Sequence, residues 1–164
     1  MLEEYVHSDV VFLNLKVVDR PMLFNWLADS LFSNGYVTDG FKDFLNKRED
    51  NYPTGLQLEG YQVAIPHGDP QYIKKPFVAV VTLNHPINMH LMENADQIIL
   101  VDTFFVLGLN SGAGHIQLLQ AMMQLIQNRE FMKQIHTAKT ISDIMQAIHD
   151  VELKVNPLGG TAND

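Results

Sequence analysis

Three runs rich in β-branched and aromatic residues, 61–65, 77–83 and 98–107, occupy the middle of this 164-residue chain, with helical patterns on both sides. A strand must bury at least one face against another layer, so central strands flanked by helices restrict the chain to an α/β layered architecture. A further strand is expected near residues 10–15. After it, Asp19 and Pro21 read as a helix cap and a first-turn proline. Leu23, Trp26, Leu27 and Leu31 then share one helical face, and Gly35 closes the helix. Thr38 is expected to cap a second helix that points Phe41, Phe44 and Leu45 inward and ends in the polar run Asn46-Lys47-Arg48-Glu49-Asp50. Pro53-Thr54-Gly55 is a turn signal. Residues 84–97 read as an irregular excursion or hairpin in which Pro86 limits pairing. The apolar residues of 115–127 suit a largely buried helix, and 131–136 and 142–149 read as two more.

The length fits one domain, expected over residues 1–154, with a frayed tail over 155–164. The chain is 46% hydrophobic and 18% charged, which suits a folded globular protein rather than a disordered one. The acidic N-terminus carries no basic-then-apolar signal pattern, and no apolar run approaches the roughly 20 residues of a membrane span, so a cytoplasmic location is expected. A net charge of −8 argues against nucleic acid and against an anionic membrane, and suits a protein partner with a basic face. The sequence contains no cysteine, which excludes disulfides, thiolate zinc sites and a thiol nucleophile.

Chemistry concentrates in Val63-Ala64-Ile65-Pro66-His67-Gly68. A strand runs into a proline that cannot donate to a ladder, then into a histidine and a glycine. The pattern suggests a histidine at an exposed strand mouth with open space beside it. Taken alone, it fits an ordinary turn histidine as well. The stretch Gly108-Leu109-Asn110-Ser111-Gly112-Ala113-Gly114-His115 lacks the Lys and Ser/Thr of a nucleotide loop. It still opens a helix whose free N–H groups favour an anion, and His115 could donate to a phosphoryl oxygen or simply be a polar first-turn residue. Arg48 offers a forked, permanently charged donor, although arginines at helix ends often just meet the dipole. His85 and His90 are read as solvated loop residues without a third metal ligand nearby, and His7, His136 and His149 as surface positions.

Together these segments resemble a known family. The run Arg48-Glu49, Pro53-Thr54-Gly55-Leu56 and Val63 to Gly68 is similar to the active-site stretch of sugar-phosphotransferase-system EIIA components of the fructose/mannitol class. Asp69-Pro70 and Lys75-Pro76-Phe77-Val78-Ala79-Val80 are similar to the galactitol-like branch, and Gly114-His115-Ile116-Gln117-Leu118-Leu119 matches the family's second-histidine helix. The resemblance implies a mixed β-sheet flanked by helices on both faces. It implies that His67 accepts a phosphoryl group from the carrier HPr and donates it to a IIB component. His115 would hydrogen-bond the phosphoryl oxygens, Arg48 would neutralise them, and Thr54 and Gly68 would lie against the phosphate. Such transfer calls for no metal or organic cofactor. IIB components of this class usually carry phosphate on cysteine, so a cysteine-free chain is expected to be a free-standing IIA working with IIB in trans. The alternative is a regulatory module whose His67 phosphorylation state is read by a protein partner. Asp69 adds a carboxylate two residues from His67, which opposes loading by like charge unless it turns away.

Overall fold

The computed structural model describes residues 2–155. Among them lie five strands and five α-helices: β1 (Val11–Leu15), α1 (Arg20–Ser33), α2 (Phe41–Asn51), β2 (Gly55–Gln57), β3 (Gln62–Ala64), β4 (Phe77–His90), β5 (Ile98–Gly108), α3 (Gly112–Leu125), α4 (Arg129–Thr137) and α5 (Ile141–Val155). The strands form one sheet in the order β1-β4-β5-β3-β2. β1 runs parallel to β4 and β3 parallel to β5, while the β4–β5 and β2–β3 pairs are antiparallel. The sheet is therefore mixed, with helices on both faces, as expected from the sequence. Val155 closes α5, and the rest of the expected tail falls outside the described residues.

Side-chain alternation explains why both faces are covered. Phe77, Ala79 and Val81 of β4, with Phe104 and Val106 of β5, pack under α1 and α2. Val78 and Val80 of β4, with Phe105 and Leu107 of β5, pack under α3, α4 and α5. Central strands buried on both sides read as continuous apolar runs, which is how they were legible.

Several local expectations hold. Asp19 caps α1 by accepting from the Met22 N–H at 3.0 Å, Pro21 sits in the first turn, and Gly35 follows the helix with φ +83°. Others do not. Residue 40, not Thr38, is the N-cap of α2: the Thr38 carbonyl closes a tight turn by accepting the Phe41 N–H at 3.2 Å, and the helical bonds begin with the Phe44 N–H on the residue 40 carbonyl at 3.2 Å. Trp26 is partly exposed and packs edge-on against Phe12, off the buried stripe of Leu23, Leu27 and Leu31. The turn expected at Pro53-Thr54-Gly55 opens directly into β2.

Of the two readings of residues 84–97, the hairpin holds and the irregular excursion does not. β4 continues to His90 and pairs with β5 again after a register shift between Thr82 and Ile87. Pro86 sits inside that shift, where it removes no ladder bond. His85 and His90 are thus exposed strand residues, not loop residues, and the His90 Nδ1 lies 2.7 Å from the Ala95 carbonyl oxygen.

Candidate active site

The site forms where parallel strands β3 and β5 end, the position at which α/β sheets commonly open a crevice. Past Ala64 the chain continues alongside β5. The Leu107 N–H donates to the Pro66 carbonyl at 2.9 Å, and the Gly68 N–H donates to the Leu107 carbonyl at 2.8 Å. His67 sits between these two bonds, bridged to Leu107, so its backbone is clamped on both sides. Proline ends donation to the ladder, yet its carbonyl still anchors the turn.

His67 is not at an exposed mouth. It is 6% exposed, and neither ring nitrogen has a hydrogen-bond partner among the described residues. Glycine at 68 serves packing: a Cβ there would lie 2.7 Å from the Phe41 ring and 3.0 Å from Ile73 Cδ1. Phe41 and Ile73 close against the turn at Gly68.

The second histidine arrives from the end of β5. Ser111 caps α3, its Oγ accepting from the Gly114 N–H at 3.4 Å, and His115 follows one residue later in the first turn. The His115 ring meets His67 edge to face, with centroids 5.1 Å apart and planes at 63°. Its Nδ1 is also buried without a partner. Gly112 has nothing within 4 Å of where a Cβ would stand, and at Gly114 a Cβ would make only ordinary contacts. Neither glycine is required by packing in this arrangement. Ile116, expected inside a largely buried helix, is 60% exposed on the rim beside His115.

Arg48 comes from the last turn of α2, its guanidinium stacked over the Tyr52 ring at 5.3 Å. Its charge reaches both histidines. Burial, then the Arg48 and His115 charges, bring the His67 imidazole down to about 3. Burial and Arg48 likewise lower His115. Both rings are therefore neutral near pH 7, the form in which imidazole has a free lone pair.

Thr54 lies in the corner between α2 and β2, where the buried Glu49 takes up its donors. The Thr54 N–H donates to Glu49 Oε2 at 2.8 Å, and its hydroxyl reaches Oε1 at 2.9 Å and Oε2 at 3.1 Å. Neither the Thr54 hydroxyl nor the Gly68 N–H is left as a free donor. Asp69 has turned away from the histidine: its carboxylate accepts from the Gln71 N–H at 3.0 Å and caps a short 3-10 helix. Glu49 itself was passed over in the sequence. The signal was present, because Phe41, Leu45 and residue 49 recur at i, i+4 and i+8 on the inward face.

The site thus presents a buried, partnerless imidazole against a second imidazole, with the Arg48 charge acting on both. The sequence model described as "Phosphoenolpyruvate-dependent sugar phosphotransferase system, EIIA 2" matches residues 4–151. The chain belongs to this family.

Among the EIIA relatives, the 2-O-alpha-mannosyl-D-glycerate-specific EIIABC component of Escherichia coli K12 is 27% identical over 91% of this chain. The chain spans only 22% of that protein's length. The galactitol-specific EIIA component of the same strain is 22% identical, covering 84% of this chain and 87% of its own. Enzyme IIAMTL of Escherichia coli, solved in complex with phosphorylated enzyme IIBMTL, superposes with a TM-score of 0.71 at 15% identity, covering 88% of this chain and 97% of that one. Such a likeness establishes a shared IIA fold.

Among the described residues, no group of three or more His, Asp or Glu is placed to hold a metal, and no helix is long and apolar enough to cross a membrane.

Proposed function

We propose that this chain is a phosphoryl carrier that takes phosphate from the phosphohistidine of HPr onto His67 and passes it to a IIB component. The observation that carries this reading is His67 itself, a clamped, neutral imidazole with no partner on either nitrogen, facing His115 and Arg48. Buried polar atoms are normally paired, so an unpaired buried imidazole is a state the fold tolerates for a purpose.

The chemistry follows from the inventory of groups. A His67 ring nitrogen supplies a lone pair to phosphorus, the phosphorus–nitrogen bond of the donor breaks, and the electron pair returns to the donor's imidazole. Unloading is the same displacement with the acceptor's cysteine thiolate as nucleophile and His67 as leaving group. Such transfer asks mainly for alignment and for donors around the equatorial oxygens. His115 and the Arg48 guanidinium fill that role. The Thr54 donors meet Glu49 and the Gly68 N–H meets the Leu107 carbonyl, so either residue would have to give up that bond to hold the phosphate. The relative solved with a phosphorylated IIB makes a IIB component the acceptor of choice, and HPr is the donor that the family implies.

The test is transfer of labelled phosphate from phosphoenolpyruvate through enzyme I and HPr to wild type and to His67→Ala. Acid-labile, base-stable label on the wild type alone is the expected result. Label that persists on folded His67→Ala overturns the assignment, and an unlabelled wild type beside active general carriers overturns the carrier reading.

A further inference from the structure

We propose that Glu49 is a positioning residue for the transfer at His67: it locks the α2–β2 corner and so sets how Arg48 and His67 face each other. This inference rests on the carrier reading above.

Glu49 occupies the core position one turn beyond Leu45, where the helix pattern calls for a hydrophobe. It is 4% exposed. Placing a carboxylate there is unfavourable unless its oxygens are satisfied, and burial does raise this carboxyl's affinity for a proton. Both oxygens are satisfied by one residue, Thr54, through its N–H and its hydroxyl. Arg20 and Arg48 add favourable charge. Simple packing of α2 against the sheet would be better served by leucine, since a buried polar group gains stability only with difficulty. The carboxylate gives something leucine cannot, which is a directional connection between α2 and one particular peptide unit.

That peptide leads straight to the nucleophile. The Thr54 carbonyl accepts the Ile65 N–H at 3.2 Å, and the next residue, Gly55, pairs with Ala64. Ile65 is followed by Pro66 and His67. On the other side, Glu49 is the immediate neighbour of Arg48 on the same turn of helix, and the Arg48 carbonyl accepts the Tyr52 N–H at 2.7 Å to end α2. A continuous run of short bonds therefore joins the residue that carries the guanidinium to the residue that carries the imidazole, and Glu49 is its centre. Displacements of about 1 Å are enough to cost about 100-fold in a positioned reaction.

Glu49→Gln and Thr54→Val test this with little change in volume. Glutamine keeps one acceptor and turns an NH2 toward the Thr54 donors, whereas valine removes only the hydroxyl. The measurement is the single-turnover rate of labelled phosphate transfer from phospho-HPr across a range of donor concentrations, at a temperature where each variant is folded.

The saturating rate is expected to fall ~10- to 100-fold in either variant, with the half-saturating HPr concentration within about twofold of wild type. The double variant should be no slower than the worse single one, because both remove the same connection. Thr54→Ser should recover most of the rate that Thr54→Val loses. A wild-type saturating rate in folded Glu49→Gln and Thr54→Val overturns the proposal and leaves Glu49 a packing residue. If Glu49→Gln does not fold, Thr54→Val decides alone.

Were the wild type to take no label, the carrier reading would fail first. The ring-proton NMR signals of His67 and His115 would then decide: movement in Glu49→Gln, with those of His136 and His149 still, upholds the positioning role, and no movement refutes it.

Discussion

His67 and His136 are both histidines whose rings meet another ring edge to face, yet the protein treats them oppositely. His136, on α4, is exposed, lies edge-on to Tyr61 and places its Nε2 3.0 Å from Asp102 Oδ2. His149 likewise stands 3.2 Å from Glu3. These rings have water and a carboxylate, the ordinary surroundings of a surface histidine. His67 is bonded to no carboxylate among the described residues. It is enclosed, its neighbours are an imidazole and a guanidinium, and its nitrogens are unpaired. The contrast separates a histidine that supports the surface from one that the fold encloses with its lone pair unused. Burial and a nearby cation keep the enclosed ring free of a proton.

The widest gap between the two regions should appear on substitution. His67→Ala should abolish phosphate labelling, while His136→Ala should label at the wild-type rate and lose at most about 1 kcal/mol of stability, as for other exposed ion pairs. Equal labelling of the two variants would erase the distinction. Arg48→Ala comes next. Removing a charged donor that acts on the transition state should lower the transfer rate by an amount equivalent to about 2–4 kcal/mol. A fall of less than about tenfold would make Arg48 a surface residue.

His115→Ala should give a smaller loss, about 10- to 100-fold in transfer, with the thermal midpoint little changed, because the ring supplies one donor and is only partly buried. The last effect is on stability against pH, and it is absent at neutrality. The folded His67 resists protonation until about pH 3, whereas the unfolded side chain takes a proton near 6.5. Above pH 6.5 both forms are neutral and the group contributes nothing. Between pH 6.5 and about 3 only the unfolded chain gains the proton, so stability should decline by roughly 1.4 kcal/mol for each pH unit from this group alone. Denaturant midpoints for wild type and His67→Ala, compared at pH 7 and pH 5, should therefore converge or cross as pH falls. Parallel profiles would mean that the ring takes up protons freely.

The layered architecture was legible because β4 and β5 are buried on both faces, and such strands write themselves as unbroken apolar runs. The cap at Asp19 and the glycine after α1 were legible for a similar reason, since each is decided within a few residues. What escaped was decided at a distance. Nothing near Pro86 says that a register shift will absorb it. At the site, the ordered motifs singled out His67, His115 and Arg48, and the fold brings the rings of the two histidines together with the Arg48 charge acting on both. The depth of His67 was not legible because Pro-His-Gly reads locally as a surface turn, while the His115 ring that meets it comes from α3. Glu49 looked like part of a polar helix end, and only the three-dimensional corner with Thr54 gives its carboxylate a task.

The enclosure of His67 also governs leakage. A phosphoramidate in open solvent is steadily lost to hydrolysis, and a carrier that let water reach its cargo would drain its donor without delivering anything. In the carrier proposed above, a ring under the edge of His115 is shielded from that loss, but the same enclosure keeps out the proteins that must reach it. For that carrier, throughput would depend on how the cover yields to a partner. The cover belongs to the first turn of α3, which carries His115 and is fastened by the Ser111 hydroxyl accepting from the Gly114 N–H. The ratio of delivered to wasted phosphate would then turn on one capped turn as much as on the reacting atoms.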